Sequence, residues 1–525
     1  MKVIIYDTTL RDGAQGEGVY FSSEDKLRIV KKLDSLGLDY IEGGWPGSNP
    51  KDLEFYQAAA RLDLKHAKLS AFGSTRRANN LPSEDKTLND LLATQTKVIT
   101  IFGKSWDFHA REVLKVTLAE NLQIIEDSIA YLRQNGREVI FDAEHFYDGY
   151  RANPDYAIAT LKAAARGGAH CIVLCDTNGG TLPMEAVEIL DRVQKEVSLP
   201  IGVHFHNDSG TAVASSIMSV QSGAVQIQGT FNGYGERCGN ANLTSIIPTL
   251  IIKLGYDTQI KPNLGYLTET SRFISELTNL QHDERQPYVG ASAFAHKAGT
   301  HHDAIIKNPL TLEHIRPEQV GNQRRFLLSD QAGRSTVLNK VKEILPETKK
   351  NDPQVLNLTN HLKDMENLGY QFEAAEASFD LVIKKAFNLY EKVFNLEGFR
   401  IIVEKRGDQP VFSEATIKVS VGDETEITAA EGEGPVNALD SAIRKALLRF
   451  YPEISDINLV DYKVRVLEEK RGTAAKVRVL IQSSDGHNSW GTVGVSEDII
   501  EASWEALVDS IEYGILNKSS NSEPK

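Results

Sequence analysis

The sequence predicts an α/β protein: a (β/α)8 TIM barrel, a helical connector and a C-terminal α+β domain. Two observations predict the barrel. Residues 1–262 alternate short apolar runs with amphipathic stretches eight times, and polar or ionisable residues gather where the apolar runs end. Eight βα units in about 250 residues are typical of a closed barrel, whose active site is built at the carboxyl ends of its strands. Functional residues are therefore expected directly after the apolar runs.

The apolar runs are interpreted as eight strands because they are short and bounded by turn residues. They are VIIYD from Val3, YIEGG from Tyr40, LSAFG from Leu69, VITIFG from Val98, VIFDAE from Val139, CIVLCD from Cys171, IGVHFH from Ile201 and IQGTFN from Ile227. Between them, apolar residues recur at helical spacing. Ser23, Pro154 and Pro183 stand where helices are expected to begin.

Beyond the barrel the sequence changes character twice. Residues 263–394 are polar and helical in pattern and include a Gly-rich segment, residues 290–303, that we interpret as a loop. Residues 395–517 return to period-two alternation with helices over 435–451 and 497–515, which predicts a separate α+β domain. Its two strand-strand-helix halves suggest a weak internal duplication, with chance similarity as the alternative. Residues 518–525 are polar and predicted to be disordered.

The charge balance points to small-molecule partners. The 525 residues include 58 Lys+Arg and 72 Asp+Glu, a net charge of −14. Nucleic acids and anionic membranes bind basic surfaces, so neither is expected as a partner. Only a four-residue apolar run precedes Asp7, and no run approaches the roughly 20 apolar residues of a membrane helix. A cytoplasmic location is expected.

The seventh strand carries a candidate metal site. His204 and His206 are two residues apart, so both imidazoles lie on one face of the strand, roughly 6.6 Å apart along the backbone. Asp12 follows another strand of the same barrel and can supply a carboxylate. Two histidines and one carboxylate suit a divalent metal such as Mn, Zn, Co or Fe. Two hydrogen-bonded barrel histidines without a metal are the alternative.

Three further strand-end residues are candidates for binding and catalysis. Arg11 has a fork of donors that suits a carboxylate or a developing enolate oxygen, and the Thr177 hydroxyl could hold the other end of a small acid. Glu144 ends the fifth strand. Taken singly, each is more often a salt-bridging or capping residue. Their grouping around a metal favours the functional interpretation.

Two loops could complete such a site. The segment NGYGERCGNAN superficially resembles a dinucleotide loop, but it follows the eighth strand and has the wrong glycine spacing, so we interpret it as a loop that brings Glu236 and Asn240 to the site. The segment GTHHDA carries His301 and Asp303. Such residues are usually solvent-exposed, but a loop reaching over the barrel could deliver them as a general base.

Several motifs together identify a family resemblance. YDTTLRDGAQGEGV from Tyr6, DYIEGGWPGSNPKD from Asp39, VHFHND, GYGERCGNANL and GTHHDAI resemble the isopropylmalate synthase and homocitrate synthase family of barrel metalloenzymes, and most closely its citramalate-forming members. The resemblance covers nearly the whole chain. It implies condensation of acetyl-CoA with a 2-oxo acid, pyruvate in those members, followed by release of CoA.

The resemblance also implies roles for individual residues. Asp12, His204 and His206, with Asn240 close by, match the ligands of a divalent cation (Mn, Mg, Zn or Co). Arg11 and Thr177 match residues that bind the oxo acid, Glu144 matches the residue that activates or positions acetyl-CoA, and His301 with Asp303 matches a catalytic pair. The C-terminal domain resembles a regulatory dimerisation domain, which implies a homodimer and an amino-acid effector, most plausibly isoleucine.

Two positions depart from the family pattern, and two alternative functions stay open. Leu312 stands where members often have a tyrosine, so no hydroxyl is expected there, and Asp142 stands where some have an aromatic residue, which is expected to alter the shape of the oxo-acid pocket. A synthase acting on a larger 2-oxo acid is the first alternative. A non-catalytic metabolite sensor is the second, and the set of catalytic residue types argues against it, because a binding protein needs no base.

Overall fold

The structure is a computed structural model that describes residues 2–521 apart from 48–49, 279, 281, 297–298, 327–333, 350–351, 373, 468–474 and 487. It divides into two compact units. The first comprises residues 1–295 and 313–325, and the second comprises residues 296–312 and 326–525.

The first unit contains a closed barrel of eight parallel strands in sequence order, which confirms the predicted fold class. The strands are β1 Ile4–Asp7, β2 Tyr40–Glu42, β3 Lys68–Ser74, β4 Val98–Lys104, β5 Glu138–Glu144, β6 Cys171–Asp176, β7 Ile201–Phe205 and β8 Gln226–Gly229. β8 pairs with β1 through Ile4↔Gln226 and its successors, so the sheet has no free edge. All eight carboxyl ends consequently open on one mouth.

Helices follow the strands around the barrel. They are α1 Ser23–Leu36, α2 Pro50–Ala59, α3 Lys86–Ala93, α4 Asp107–Glu112, α5 Leu118–Gln134, α6 Phe146–Ala152, α7 Pro154–Gly167, α8 Pro183–Glu196 and α9 Ala212–Gln221. The predicted helix starts are confirmed: α7 and α8 begin with proline, and α1 begins after a capping box in which Ser22 and Asp25 satisfy each other's backbone N–H. Their buried aliphatic faces and the strands form one core.

The chain after the barrel is helical. The elements are α10 Leu243–Pro248, α11 Leu267–Thr278, β9 Ala295–His296, α12 Gly299–Lys307, β10 Arg325–Phe326, α13 Arg334–Ile344, α14 Pro353–Leu368 and α15 Glu376–Ala386. α11 packs against α1 of the barrel. The GTHHDA segment, predicted as a loop, is instead part of α12. Ile305, directly after this segment, is buried, so packing supports the helix.

The C-terminal region contains two three-stranded antiparallel sheets, each followed by a helix. The elements are β11 Asn395–Glu404, β12 Phe412–Val421, β13 Glu424–Gly432, α16 Pro435–Leu447, β14 Asn458–Val466, β15 Val477–Ser484, β16 Ser489–Ser496 and α17 Ile499–Asn521. The prediction of two strands per half was wrong. β13 and β16 are rich in Gly, Ser, Glu and Ala, which hides their alternation, and pairing with β12 and β15 stabilises them.

The division of the chain at residues 262 and 394 stays a prediction. The polar tail was predicted over residues 518–525, but α17 continues to Asn521, and residues 522–525 lie outside the described residues. Among the helices described, none combines the length and apolar character that crossing a membrane requires.

Candidate active site at the barrel mouth

Three candidate metal ligands come together at the carboxyl ends of β1 and β7. Asp12 lies in the turn after β1, His204 is in β7 and His206 follows it, and all three are buried. Asp12 Oδ2 is 3.2 Å from His204 Nε2 and 3.9 Å from His206 Nε2. One ligand atom from each residue lies within 4.8 Å of the other two. One ion could therefore contact all three side chains.

Asn240 lies beside this triad. A backbone bridge joins it to His206, and its Nδ2 donates to Asp12 Oδ2 at 2.9 Å. Asn240 Oδ1 and His206 Nδ1 are buried without a hydrogen-bond partner in the described part of the chain. A buried lone pair without a donor is costly, and a nearby cation relieves that cost. The donor set thus fits a divalent metal.

The protonation states of the triad also suit a cation. Burial raises the pKa of Asp12, but Arg11 and the two histidines outweigh burial and hold it well below its usual value, so Asp12 is ionised. Burial lowers the pKa of His206 to about 4, so its imidazole is neutral and can ligate. Burial opposes protonation of His204, whereas its hydrogen bond to Asp12 and the charge there raise its pKa. Metal binding should therefore displace a proton from His204.

Arg11 lies beside the triad and is held in place by several contacts. Its Nε donates to Glu42, its Nη1 lies 3.3 Å from Asp12 Oδ2, and its guanidinium carbon is 3.8 Å from the ring centroid of Phe72. Glu42 is fully buried, and burial raises its pKa. Tyr6 donates a second hydrogen bond to Glu42, at 2.8 Å. The orientation of Arg11 is thus fixed by its contacts with Glu42, Asp12 and Phe72.

Glu144 is the last residue of β5, and Thr177 directly follows β6. Glu144 Oε2 lies 2.5 Å from Lys104 Nζ at the end of β4. Thr177 Oγ1 accepts a hydrogen bond from the backbone N–H of His145 at 2.9 Å, which leaves the hydroxyl proton of Thr177 available to donate. His145 has a positive φ of 54°, a conformation that turns the chain sharply at the end of β5.

These residues line one cavity of about 200 Å³, together with an aromatic wall that the sequence analysis did not identify. The wall consists of Trp45, Phe72 and Phe102, whose ring centroids lie 5.5 to 5.9 Å apart. Trp45 directly follows an apolar run, and Phe72 and Phe102 are next to last in theirs, so position near the strand end was the signal that could have found them. The complete lining is Arg11, Asp12, Gln15, Trp45, Phe72, Phe102, Asp142, Glu144, Cys175, Thr177, His204, His206 and Glu236.

Asp142 and Gln228 form a buried pair beneath the ligands. Gln228 Nε2 donates to Asp142 Oδ1, and Gln228 Oε1 lies 3.0 Å from His204 Nδ1. Burial and the charge of Glu42 raise the pKa of Asp142 to about 7. Asp142 therefore takes part in a polar network here and does not simply replace an aromatic wall residue.

The remaining candidates belong to the second compact unit. His301 is exposed on α12, and the side chain of Asp303 lies outside the described residues. Leu312 is 42% exposed at the end of the same segment. The structure therefore brings together Arg11, Asp12, Glu144, Thr177, His204, His206 and Asn240 within the barrel unit, and the roles of His301 and Asp303 stay predictions.

A buried carboxyl near the mouth leads to a pH-dependent stability prediction. Asp7 accepts two hydrogen bonds from Thr9, yet burial raises its pKa to about 7. The folded state therefore keeps a proton that the unfolded chain releases above about pH 4. The contribution of protonated Asp7 to the free energy of unfolding is present at low pH and is lost as the pH rises through about 7.

Replacing Asp7 by asparagine removes this ionisation. Relative to Asp7→Asn, the wild-type protein should lose about 2 to 3 kcal/mol of unfolding free energy between pH 5 and pH 8. Denaturant unfolding of the barrel at the two pH values measures it. The same substitution at Asp63, which is exposed, is the matched control. An equal Asp7→Asn effect at both pH values would contradict the assignment.

Comparison with known proteins adds independent information. Residues 2–274 match the family described as HMGL-like, residues 288–369 match a domain described as homocitrate synthase post-HMGL domain-like, and residues 373–515 match the LeuA allosteric (dimerisation) domain. The three matches follow one another along the chain.

Full-length relatives show the same pattern. An (R)-citramalate synthase of Geobacter sulfurreducens is 55% identical, over 99% of both chains. An (R)-citramalate synthase of Aquifex aeolicus is 54% identical, over 98% of both chains. A 2-isopropylmalate synthase of Methanocaldococcus jannaschii is 32% identical, over 97% of this chain and 94% of the relative.

Proposed function

This chain belongs to the (R)-citramalate synthase family, within the HMGL-like enzymes, and we propose on that premise that it condenses acetyl-CoA with pyruvate and water to form citramalate and CoA. One observation in the structure carries the proposal. A metal-ligand triad, an immobilised arginine and an aromatic wall line a single cavity of about 200 Å³ at the barrel mouth. A small 2-oxo acid needs these features: charge for its carboxylate and keto oxygens, and apolar contact for its methyl group.

The triad Asp12, His204 and His206 is proposed to hold one divalent cation, with Asn240 Oδ1 as a further donor. Mixed nitrogen and oxygen donors suit Mn, Zn or Co, and they suit Mg less well, because Mg prefers oxygen ligands. When bound, a divalent cation supplies Lewis-acid polarisation of the keto oxygen.

Arg11 and Thr177 are proposed to bind and orient the oxo acid. The guanidinium adds positive charge where negative charge develops on the keto oxygen, and its bond to Glu42 keeps it in place without reorganisation. The Thr177 hydroxyl, whose oxygen accepts from His145, is free to donate to the substrate carboxylate. The two groups fix which face of the ketone is open to attack.

Enolisation of acetyl-CoA requires a base near its methyl group. Glu144 lines the cavity and is held by Lys104, and we assign it to acetyl-CoA activation or positioning. His301 and Asp303, on α12 of the second compact unit, are proposed to complete the proton transfer, and the protein is proposed to be a homodimer. The matched LeuA dimerisation domain supports the homodimer.

A panel of 2-oxo acids tests the function. With acetyl-CoA present, pyruvate should release free thiol at least about tenfold faster than 2-oxoisovalerate or 2-oxoglutarate, because each added methylene or branch must fit against the rigid aromatic wall. Thiol release is followed by a disulfide reagent, and the product is identified as citramalate by mass spectrometry. A preference for a larger acid would assign the chain to another synthase activity. No turnover with any acid would favour the sensor.

The C-terminal domain is proposed to bind an amino-acid effector, isoleucine. A cavity of about 830 Å³ lies between the start of α16 and strand β14. Its polar side includes Asn437, Asp440 and Arg444, and its apolar side includes Ile457 and Leu459. An amino acid with a branched apolar side chain matches this combination of charged and apolar walls.

Isoleucine should inhibit the intact enzyme, and filling the cavity should relieve the inhibition. Leu459→Trp is expected to raise the half-inhibitory concentration at least about tenfold while uninhibited activity stays within about twofold, because effector and substrate sites are separate. Leu396→Trp is the matched control: Leu396 also stands next to the irregularity in the first strand of its sheet, but it does not line the cavity. Indifference of the wild type to isoleucine, leucine and valine would leave dimerisation as the role of this domain.

A further inference from the structure

Gln228 has a position that the proposed chemistry does not explain. It lies on β8 opposite His204 in the β7–β8 register, and its side chain is completely buried. Oε1 is 3.0 Å from His204 Nδ1, and Nε2 donates to Asp142 Oδ1 at 3.0 Å. A continuous chain of hydrogen bonds thus joins the carboxyl group of Asp142 to the imidazole of His204.

The chain of hydrogen bonds has a direction, because a side-chain amide donates through its nitrogen and accepts through its oxygen. Asp142 Oδ1 accepts whether its carboxyl group is ionised or carries a proton on Oδ2, so the amide nitrogen of Gln228 faces Asp142. The amide oxygen then faces His204 and can only accept, which requires a proton on His204 Nδ1. The ring nitrogen left for a cation is Nε2, the atom 3.2 Å from Asp12 Oδ2.

We propose that Asp142 and Gln228 are positioning residues that hold His204 in the form that ligates through Nε2. The proposal rests on the metal site proposed above and extends it to a second layer of residues. Outer partners of this kind fix both the tautomer and the orientation of a ligating histidine, and their loss typically weakens metal binding about 10- to 100-fold. Burial strengthens the effect, because a hydrogen bond is stronger in the low-dielectric interior.

A neighbouring glutamine provides a matched control. Gln226 lies two residues earlier on β8 and is 1% exposed, and its Oε1 faces the Cys171 sulfur at 3.9 Å. Gln226→Met therefore makes the same chemical change at equal burial in the same strand, without touching a candidate ligand.

Cobalt titration of the full-length protein tests the proposal through metal affinity as well as activity. Gln228→Met should weaken Co²⁺ binding about 10- to 100-fold, measured by competition with a chelator, whereas Gln226→Met should stay within about threefold of the wild type. The pair Asp142→Asn with Gln228→Glu should restore affinity, because the new amide donates to the new carboxylate, which again accepts from His204.

Melting of the metal-free proteins checks folding. If Gln228→Met does not fold, Asp142→Leu tests the other end of the chain of hydrogen bonds, and its affinity for Co²⁺ is expected to fall about 3- to 10-fold.

The outcomes separate this inference from the proposed metal site. Failure of the wild type to bind Co²⁺ would overturn the metal site and this inference with it. Normal binding by the wild type and by Gln228→Met, or by Asp142→Leu where that variant is needed, would overturn this inference alone. Equal weakening of Co²⁺ binding in Gln228→Met and Gln226→Met would mean that Gln228 only contributes to packing of the barrel.

Discussion

His204→Ala is expected to abolish tight divalent-metal binding and to lower the condensation rate by at least about a thousandfold. The triad offers three buried ligands, and the variant leaves only Asp12, His206 and the neutral amide oxygen of Asn240, which are too few strong donors to retain an ion. Loss of the cation removes the main polarising charge on the keto oxygen, and Arg11 alone cannot replace it. Metal content after dialysis and thiol release with added metal measure the two effects together.

The His204→Ala result requires a control for folding. His170→Ala is suitable because His170 precedes β6, at the opposite end of the strand from the mouth, and its side chain is 56% exposed. It should retain wild-type metal content and rate. Full turnover by the wild-type enzyme after exhaustive chelation would contradict a metal-dependent reaction. An inactive His204→Ala protein that binds metal as tightly as the wild type would contradict the assignment of His204 as a metal ligand.

Arg11→Lys is expected to lower kcat about 10²- to 10³-fold although the positive charge is kept. Arg11 uses its planar fork: Nε bonds Glu42, the guanidinium stacks on Phe72, and a terminal nitrogen remains beside Asp12. A lysine ammonium can satisfy Glu42 or face the substrate, but it cannot do both. The loss should therefore fall mainly on the chemical step.

Separate measurement of kcat and KM for pyruvate distinguishes this role from simple binding. Arg76→Lys is the matched control, since Arg76 is similarly buried and ion-paired, with Asp127, but does not line the cavity. A change confined to KM would mean that Arg11 only binds the carboxylate. Equal losses in Arg11→Lys and Arg76→Lys would point to a general effect on the barrel.

The barrel and the composition of its site were predictable from the sequence because both depend on local pattern. Apolar runs of strand length, separated by amphipathic helices, leave few ways to bury their surface, and a parallel sheet places the residues after each run at one mouth. Hence Arg11, Asp12, Glu144, Thr177, His204 and His206 could be assigned to one site from their positions alone.

The predictions that failed concern segments whose local signal is weak. β13 and β16 lack strong alternation and become strands through pairing with their neighbours, and the GTHHDA segment becomes helical although its glycine and paired histidines suggest a loop. For β13 and β16, pairing with the preceding strand of the hairpin outweighs weak intrinsic preference.

Only the tertiary structure decided how the site is supported. Gln228 is 86 residues from Asp142 and 24 from His204, and the aromatic wall joins Trp45 to Phe72 and Phe102 across three strands. Nothing in a linear pattern indicates which buried amide faces which imidazole, because that depends on the register of adjacent strands and on the direction of each side chain inside the barrel. The sequence by itself determined which groups reach the barrel mouth, and closure of the barrel decided which of them hold one another in place.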